Sequence, residues 1–188
     1  MHHHYILYKP DGYISQLTEN AGHKKKLLGE LFDFTEGTMA IGRLDEASEG
    51  LLLLTTDGKM SEAIRSKKVE KEYYAQVNGN ITFEAVEQLQ NGVEIGIEGE
   101  KYTTLPCTAF RLTNTPDLPK RNKKIRDDRH GPTSWVSITV NEGKFRQVRK
   151  MTAAVGFPTL RLVRVRIGNI KLENLNAGEV KEVDCFDY

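Results

Sequence analysis

The most unusual local sequence runs Gly42-Arg43-Leu44-Asp45-Glu46-Ala47-Ser48-Glu49-Gly50 and continues Leu51-Leu52-Leu53-Leu54-Thr55-Thr56-Asp57-Gly58. Charged residues here stand directly against an apolar run that reads as a buried strand. In an extended Arg43–Asp45 segment the two charged side chains project to one side, so a cation and a carboxylate share a surface beside the core. That pairing suits a carboxylate acting as nucleophile or base. Asp45 and Glu49 also make a pair of acids, the equipment of a glycosidase. The same residues equally suit an unreactive role, a charged loop in which Asp45 or Ser48 bonds backbone amides, and taken alone that is the commoner outcome.

The elements that must position these residues are mostly strands. Residues 5–9, 69–78 and 134–140 combine β-branched and aromatic residues with a period of two. Asn141-Glu142-Gly143 then reads as a turn into a helix whose apolar positions Phe145, Val148, Met151 and Val155 are spaced 3, 3 and 4, with Gly156 and Pro158 as stop signals. A second short helix spans 82–91, with Thr82 as cap, Ala85 and Leu89 facing inward and Gly92 at its end. Another starts near Thr56-Asp57-Gly58. Many strands with helices between them predict an α+β fold on a largely antiparallel or mixed central sheet, with flanking helices and loops. Residues 113–132, with Pro116, Pro119 and Pro132 and a dense basic cluster, predict an exposed loop.

At 188 residues the chain has room for a single domain, expected over 5–184, and Met1 to His4 read as a tag remnant. No apolar run exceeds four residues, which excludes a membrane-spanning helix and a secretory signal and predicts a cytoplasmic protein. Cys107 and Cys185 are isolated, so neither a disulfide framework nor a metal site is expected, and both read as buried thiols. The net charge of +1 hides a division: residues 120–172 hold fourteen Lys or Arg against Asp127, Asp128 and Glu142, and the remainder is acidic. Between Gly143 and Leu172 there is no acid at all. A solvated face normally mixes signs, so this asymmetry favours a polyanionic partner such as nucleic acid.

The Gly42–Gly58 segment resembles the motif of RNA pseudouridine synthases of the RsuA class: Gly-Arg-Leu-Asp, two variable residues, Ser-Glu-Gly-Leu, a short apolar run, Thr and Asp-Gly. Two further motifs of that family follow in order, Lys71-Glu72-Tyr73 opening a strand and Glu142-Gly143-Lys144-Phe145-Arg146-Gln147-Val148-Arg149-Lys150-Met151. Lys9-Pro10 with Gly12 matches the family's first strand and turn. Pro132-Thr133-Ser134-Trp135 and Gly156-Phe157-Pro158-Thr159-Leu160-Arg161-Leu162 resemble a large-subunit subgroup that lacks the S4-type RNA-binding domain. With 44 residues before Asp45, no such domain is expected.

The resemblance implies a catalytic fold of two lobes around a cleft and isomerisation of one uridine in large-subunit (23S) ribosomal RNA, with no cofactor and no metal. It assigns Asp45 the carboxylate that either attacks C1′ or removes the C2′ proton, Tyr73 the ring that stacks on the uracil, and Arg149 the cation that keeps the carboxylate ionised. Tyr74, on the opposite face of the strand, serves as its internal control. Arg43 would fill the space left by the flipped base, Val148 the apolar wall of the pocket, and Arg146 a phosphate contact from the same helix as Arg149. Leu44, Lys71, Lys123, Lys124, Arg126 and Lys150 complete the expected RNA-contacting set. A monomer is the default state. The alternatives are a catalytically idle RNA-binding or ribosome-assembly factor, the same enzyme on another RNA, and the Asp45/Glu49 hydrolase.

Overall fold

The computed structural model describes residues 2–18, 25–66, 69–126 and 128–188. In chain order its regular elements are β1 (His4–Lys9), β2 (Tyr13–Ile14), β3 (Lys26–Leu27), β4 (Met39–Ala40), β5 (Glu49–Thr55), α1 (Gly58–Arg65), β6 (Lys71–Asn78), α2 (Phe83–Asn91), β7 (Glu94–Ile97), β8 (Glu100–Thr103), β9 (Thr108–Arg111), β10 (Thr133–Val140), α3 (Gln147–Ala154), β11 (Thr159–Ile167), β12 (Ile170–Lys171) and β13 (Val180–Val183). The fold is α+β, as the alternation of strand and helix signals predicts.

The chain divides into two compact units. The first comprises Met1–Val69, Pro119–Lys123 and Arg164–Tyr188; the second comprises Glu70–Leu118 and Lys124–Val163. β11 contributes Thr159 to Val163 to the second and Arg164 to Ile167 to the first.

In the first unit β1 lies between β13 and β5, antiparallel to both, with Leu7 opposite Leu52 and Tyr5 opposite Leu54. β4 pairs antiparallel with β5 and β12 with β11, while the short β2–β3 pair is parallel. Every residue of β5 is buried, which is why its sequence is a continuous apolar run rather than an alternation. Ile41, Leu51, Leu53, Ile64, Val69, Ile167, Ile170 and Phe186 form the core here. α1 starts where Asp57 accepts hydrogen bonds from the amides of Lys59 (2.9 Å) and Met60 (3.3 Å), and those bonds outweigh desolvation and hold its carboxyl below the usual range. His4, grouped by sequence with the terminal remnant, is the first residue of β1; its ring nitrogen bonds Thr55 Oγ1 at 2.8 Å and packs on Phe186.

In the second unit β10 is antiparallel to β6 and β9, and β7 to β8. The core joins Ala75 and Val77 of β6, Ile81, Ala85, Val86 and Leu89, Val136, Ile138 and Val140 of β10, and Val148 and Met151 of α3. Thr82 Oγ1 accepts from the Ala85 amide and opens α2, and Gly92 closes it. Cys107 is half-buried, its thiol donating to the Leu89 carbonyl and pushed up to about 11 by burial, whereas Cys185 is exposed, contrary to the expectation of a buried thiol. Among the described residues no helix is long and apolar enough to cross a membrane.

Candidate active site

Asp45 sits, half-buried, on the loop between β4 and β5. The loop leaves the strand at Gly42, whose φ of 72° a side-chain-bearing residue adopts only under strain. Buried Leu44 pins the next step: Ser15 Oγ donates to its carbonyl and accepts from its amide, both at 2.9 Å. The Ser48 amide donates to the Asp45 carbonyl at 2.9 Å and closes a turn. Glu46 is held from the β1 side, its carbonyl accepting from the Gly12 amide (2.8 Å) and from Lys9 Nζ (3.3 Å).

Lys9 is fully buried. Its ammonium also donates to the carbonyls of Pro10 (2.9 Å) and Tyr13 (2.6 Å), so all three of its protons have backbone acceptors. Burial pushes its pKa down to about 8, while the carboxylates of Asp11, Glu49, Asp45 and Glu46 pull the other way. The loop that carries Asp45 is therefore fixed through its backbone, with Arg43 exposed on one side and Glu46 exposed and paired to Lys25 on the other. Glu49 is 2% exposed and bonded by Tyr8 Oη at 3.5 Å, with Arg121 Nε 3.4 Å away; Arg121 also pairs with Asp11. A carboxylate buried and ion-paired in that way is closed to a substrate, which argues against Glu49 as the second acid of the hydrolase reading.

In the second unit Lys71, Glu72 and Tyr73 open β6. Tyr73 stands opposite Ile138 and packs partly against the core, while Tyr74 stands opposite Ser137 on the other face, its hydroxyl pKa raised by burial and by Glu72. The turn after β10 is built on Glu142, which is 4% exposed. Its carboxylate accepts from Tyr102 Oη, from the Leu105 amide at 2.9 Å and from Gln147 Nε2 at 2.8 Å. Burial alone would raise its pKa, but these bonds and the charge of Lys144 outweigh burial and lower it. Gln147 Oε1 accepts from the Lys144 amide at 3.1 Å and completes the knot.

α3 begins only at Gln147. Arg146, expected within the helix, is instead its N-terminal flank in the left-handed conformation (φ 53°, ψ 31°), and Phe145, expected to face inward, is 65% exposed. Val148 is buried with Met151 in the core, whereas Arg149 and Lys150 are half-buried, Lys150 Nζ donating to the Gly96 carbonyl at 2.7 Å.

The basic stretch is less of a surface than its charge suggests. Arg161 and Arg164 are buried, the latter donating from Nε to the Leu51 carbonyl at 2.8 Å. Within the predicted loop Lys123 and Lys124 are exposed, but the Arg121 side chain is only 10% exposed and half-buried Arg126 donates to Asn78 Oδ1. The structure thus brings Arg43, Leu44 and Asp45 together, with Lys123 in the same unit. Lys71, Tyr73, Lys124, Arg126, Arg146, Val148, Arg149 and Lys150 belong to the other. Sequence reasoning missed the roles of Lys9, Ser15 and Glu142. A lysine closing a strand as apolar as Tyr5–Tyr8 was the available signal. Among the described residues no group of three or more His, Cys, Asp or Glu is placed to hold a metal.

A family model described as RNA pseudouridylate synthase matches residues 3–154. The chain is 41% identical over 180 residues to the ribosomal large subunit pseudouridine synthase E of Vibrio vulnificus, covering 95% of this chain and 74% of that one. It is 39% identical over 182 residues to the enzyme of the same name in Xanthomonas campestris, covering 96% and 95%. To the ribosomal large subunit pseudouridine synthase B of Bacillus subtilis it is 30% identical over 183 residues, covering 96% and 67%. A crystal structure of a pseudouridylate synthase superimposes with a TM-score of 0.75 at 28% identity, over 97% of this chain and 70% of the other.

Proposed function

The chain belongs to the RNA pseudouridylate synthase family, and from that membership we propose that it converts one specific uridine of large-subunit (23S) ribosomal RNA to pseudouridine with Asp45 as the reacting carboxylate. The observation that carries the assignment is the Asp45 loop: its backbone is tied down at Leu44, Asp45 and Glu46, so the carboxylate is offered from a fixed frame. Preorganisation of that kind is what a reaction at a sugar carbon requires.

The reaction breaks the bond from C1′ to N1, turns the detached uracil and bonds its C5 to C1′; the proton on C5 leaves to a base and N1 regains one. No redox change occurs, so no electron carrier is called for. Asp45 acts at the ribose, as nucleophile at C1′ or as base at C2′. Tyr73 stacks on the uracil and Arg149 supplies positive charge to the reacting carboxylate. The uridine is flipped from its helix at a cost of a few kcal/mol, with Arg43 taking its place. Exposed Lys123 and Lys124 and the side chains of Arg146 and Lys150 serve the phosphate backbone. The protein works as a monomer in the cytoplasm.

Tritium release from 23S RNA labelled at uridine C5 tests this directly. Wild type is expected to release tritium from one site, and Asp45→Asn none while keeping its thermal melting point and its affinity for the RNA. Binding without release by wild type, on free RNA and on assembly intermediates alike, would instead identify an idle RNA-binding factor.

A further inference from the structure

The two most exposed large apolar side chains among the described residues are Phe83, at 77%, and Phe145, at 65%. A single exposed ring means little by itself. Their surroundings differ. Phe83 opens α2, with Glu84 beside it and Glu87 four residues on, on the same helix face, both exposed. Phe145 lies between Lys144 and Arg146, and Lys150 Nζ stands 5.2 Å from its ring centroid. No acid occurs from Gly143 to Leu172.

The backbone that carries Phe145 is fixed. Glu142 and Gln147 knot the turn on either side of it, and Lys144 rests 4.8 Å from the ring centroid of Tyr102. Lys150 cannot swing away freely, because its ammonium also bonds the Gly96 carbonyl. A flat π surface is thus held in solvent on a rigid turn, with cations on the flanking residues. That combination matches an unpaired nucleotide: the base covers the ring while the phosphates on either side meet Lys144 and Arg146. An acidic peptide would use the cations but brings no flat π face to cover the ring, and a membrane surface takes a broad apolar face rather than a single ring.

We propose that Phe145 is a stacking platform for an unpaired base of the RNA substrate other than the uridine that reacts. The proposal rests on the reading of the protein as an RNA enzyme. It assigns Phe145 to substrate recognition and leaves the chemistry to Asp45.

The test uses the full chain, a fluorescein-labelled short oligouridylate and a fully paired RNA duplex of equal length. Phe145→Ala is expected to weaken single-strand binding about five- to a hundredfold and to leave the slope of log Kd against log salt unchanged, since no charge is removed. Duplex binding should hardly move. Phe145→Leu, which keeps apolar bulk but no π face, should lose as much as alanine, and Phe145→Trp should restore binding with its new fluorescence quenched by the oligonucleotide. Phe83→Ala should bind like wild type. Wild-type affinity in Phe145→Ala, an unquenched tryptophan, or equal losses for strand and duplex would each overturn the stacking role. If wild type binds neither RNA, the RNA reading itself fails and takes this inference with it.

Discussion

Two loops carry the residues assigned to chemistry and recognition, and they are held in place by ions of opposite sign. The Asp45 loop is clamped by a buried cation: Lys9 gives its three protons to the carbonyls of Pro10, Tyr13 and Glu46. The turn after β10 is clamped by a buried anion: Glu142 collects donors from Tyr102, Leu105 and Gln147. A chain leaving a strand must find partners for the backbone groups it turns inward. An ammonium offers only donors and a carboxylate only acceptors, so the sign of the clamp follows from which groups face it. The compensation differs, however. Lys9 is bonded to neutral carbonyls that do not offset its burial, and its pKa falls to about 8. Glu142 has enough donors, with Lys144 nearby, to end below its ordinary value.

Removing each clamp should therefore damage a different function. Lys9→Met takes the ammonium from the Pro10 and Tyr13 carbonyls, leaves the Glu46 carbonyl only its Gly12 bond, and removes a cation from among four carboxylates. It is expected to cost about 3–5 kcal/mol of stability. In the surviving folded protein kcat for tritium release should collapse while Kd for RNA stays near wild type, since Lys9 bonds the Glu46 carbonyl of the Asp45 loop and no residue of the turn after β10. Urea unfolding and single-turnover assays measure both halves, and an unchanged kcat would mean that the loop holds its shape without the lysine. Glu142→Gln is milder. The amide oxygen can keep the Leu105 and Gln147 donors while its N–H₂ faces Tyr102 Oη, which must then accept, and bonds to a charged acceptor become bonds to a neutral one, for a loss of about 1–2 kcal/mol. Here RNA affinity should weaken, because the turn presenting Lys144, Phe145 and Arg146 loosens, with kcat on saturating RNA nearly preserved. The same loss pattern in both variants would erase the distinction between the loops.

What the sequence made legible was local. Thr82 and Gly92 bracket α2, α1 starts near Thr56-Asp57-Gly58, and the apolar run Leu51–Leu54 is a strand buried throughout, because each signal lies within a few residues of the structure it makes. The family was legible through the motif that carries Asp45. The clamps were not, since Lys9 meets the Glu46 carbonyl 37 residues away and Glu142 meets Tyr102 from 40. Charge was misread for the same reason: Arg121, Arg161 and Arg164 count as basic surface in a sequence sum but are buried or nearly so. Phe145 fits a helical spacing of apolar residues, yet the left-handed residue at Arg146 starts the helix later and turns the ring outward.

The smallest effect separates the clamps by pH. Lys9 titrates at about 8 folded against 10.5 as its ordinary value, so between those limits the unfolded chain binds more protons and stability rises with pH. From pH 8 to 9 the gain is about 1 kcal/mol. Tyrosines and thiols titrate alike in wild type and Lys9→Met, so the stability difference between the two isolates Lys9 and should grow by that amount in favour of wild type. Glu142 runs the other way: its folded pKa is lowered, so its contribution is complete above its ordinary 4.5 and is lost as pH falls through the folded value. The gap between wild type and Glu142→Gln should accordingly be flat from pH 7 to 9 and narrow only in acid. The neutral Lys9 amine has two protons for three carbonyls. Above pH 8 the protein should thus become more stable while the Asp45 loop loses a tie and kcat falls. Urea midpoints and kcat rising together over that interval would show that Lys9 does not hold the loop.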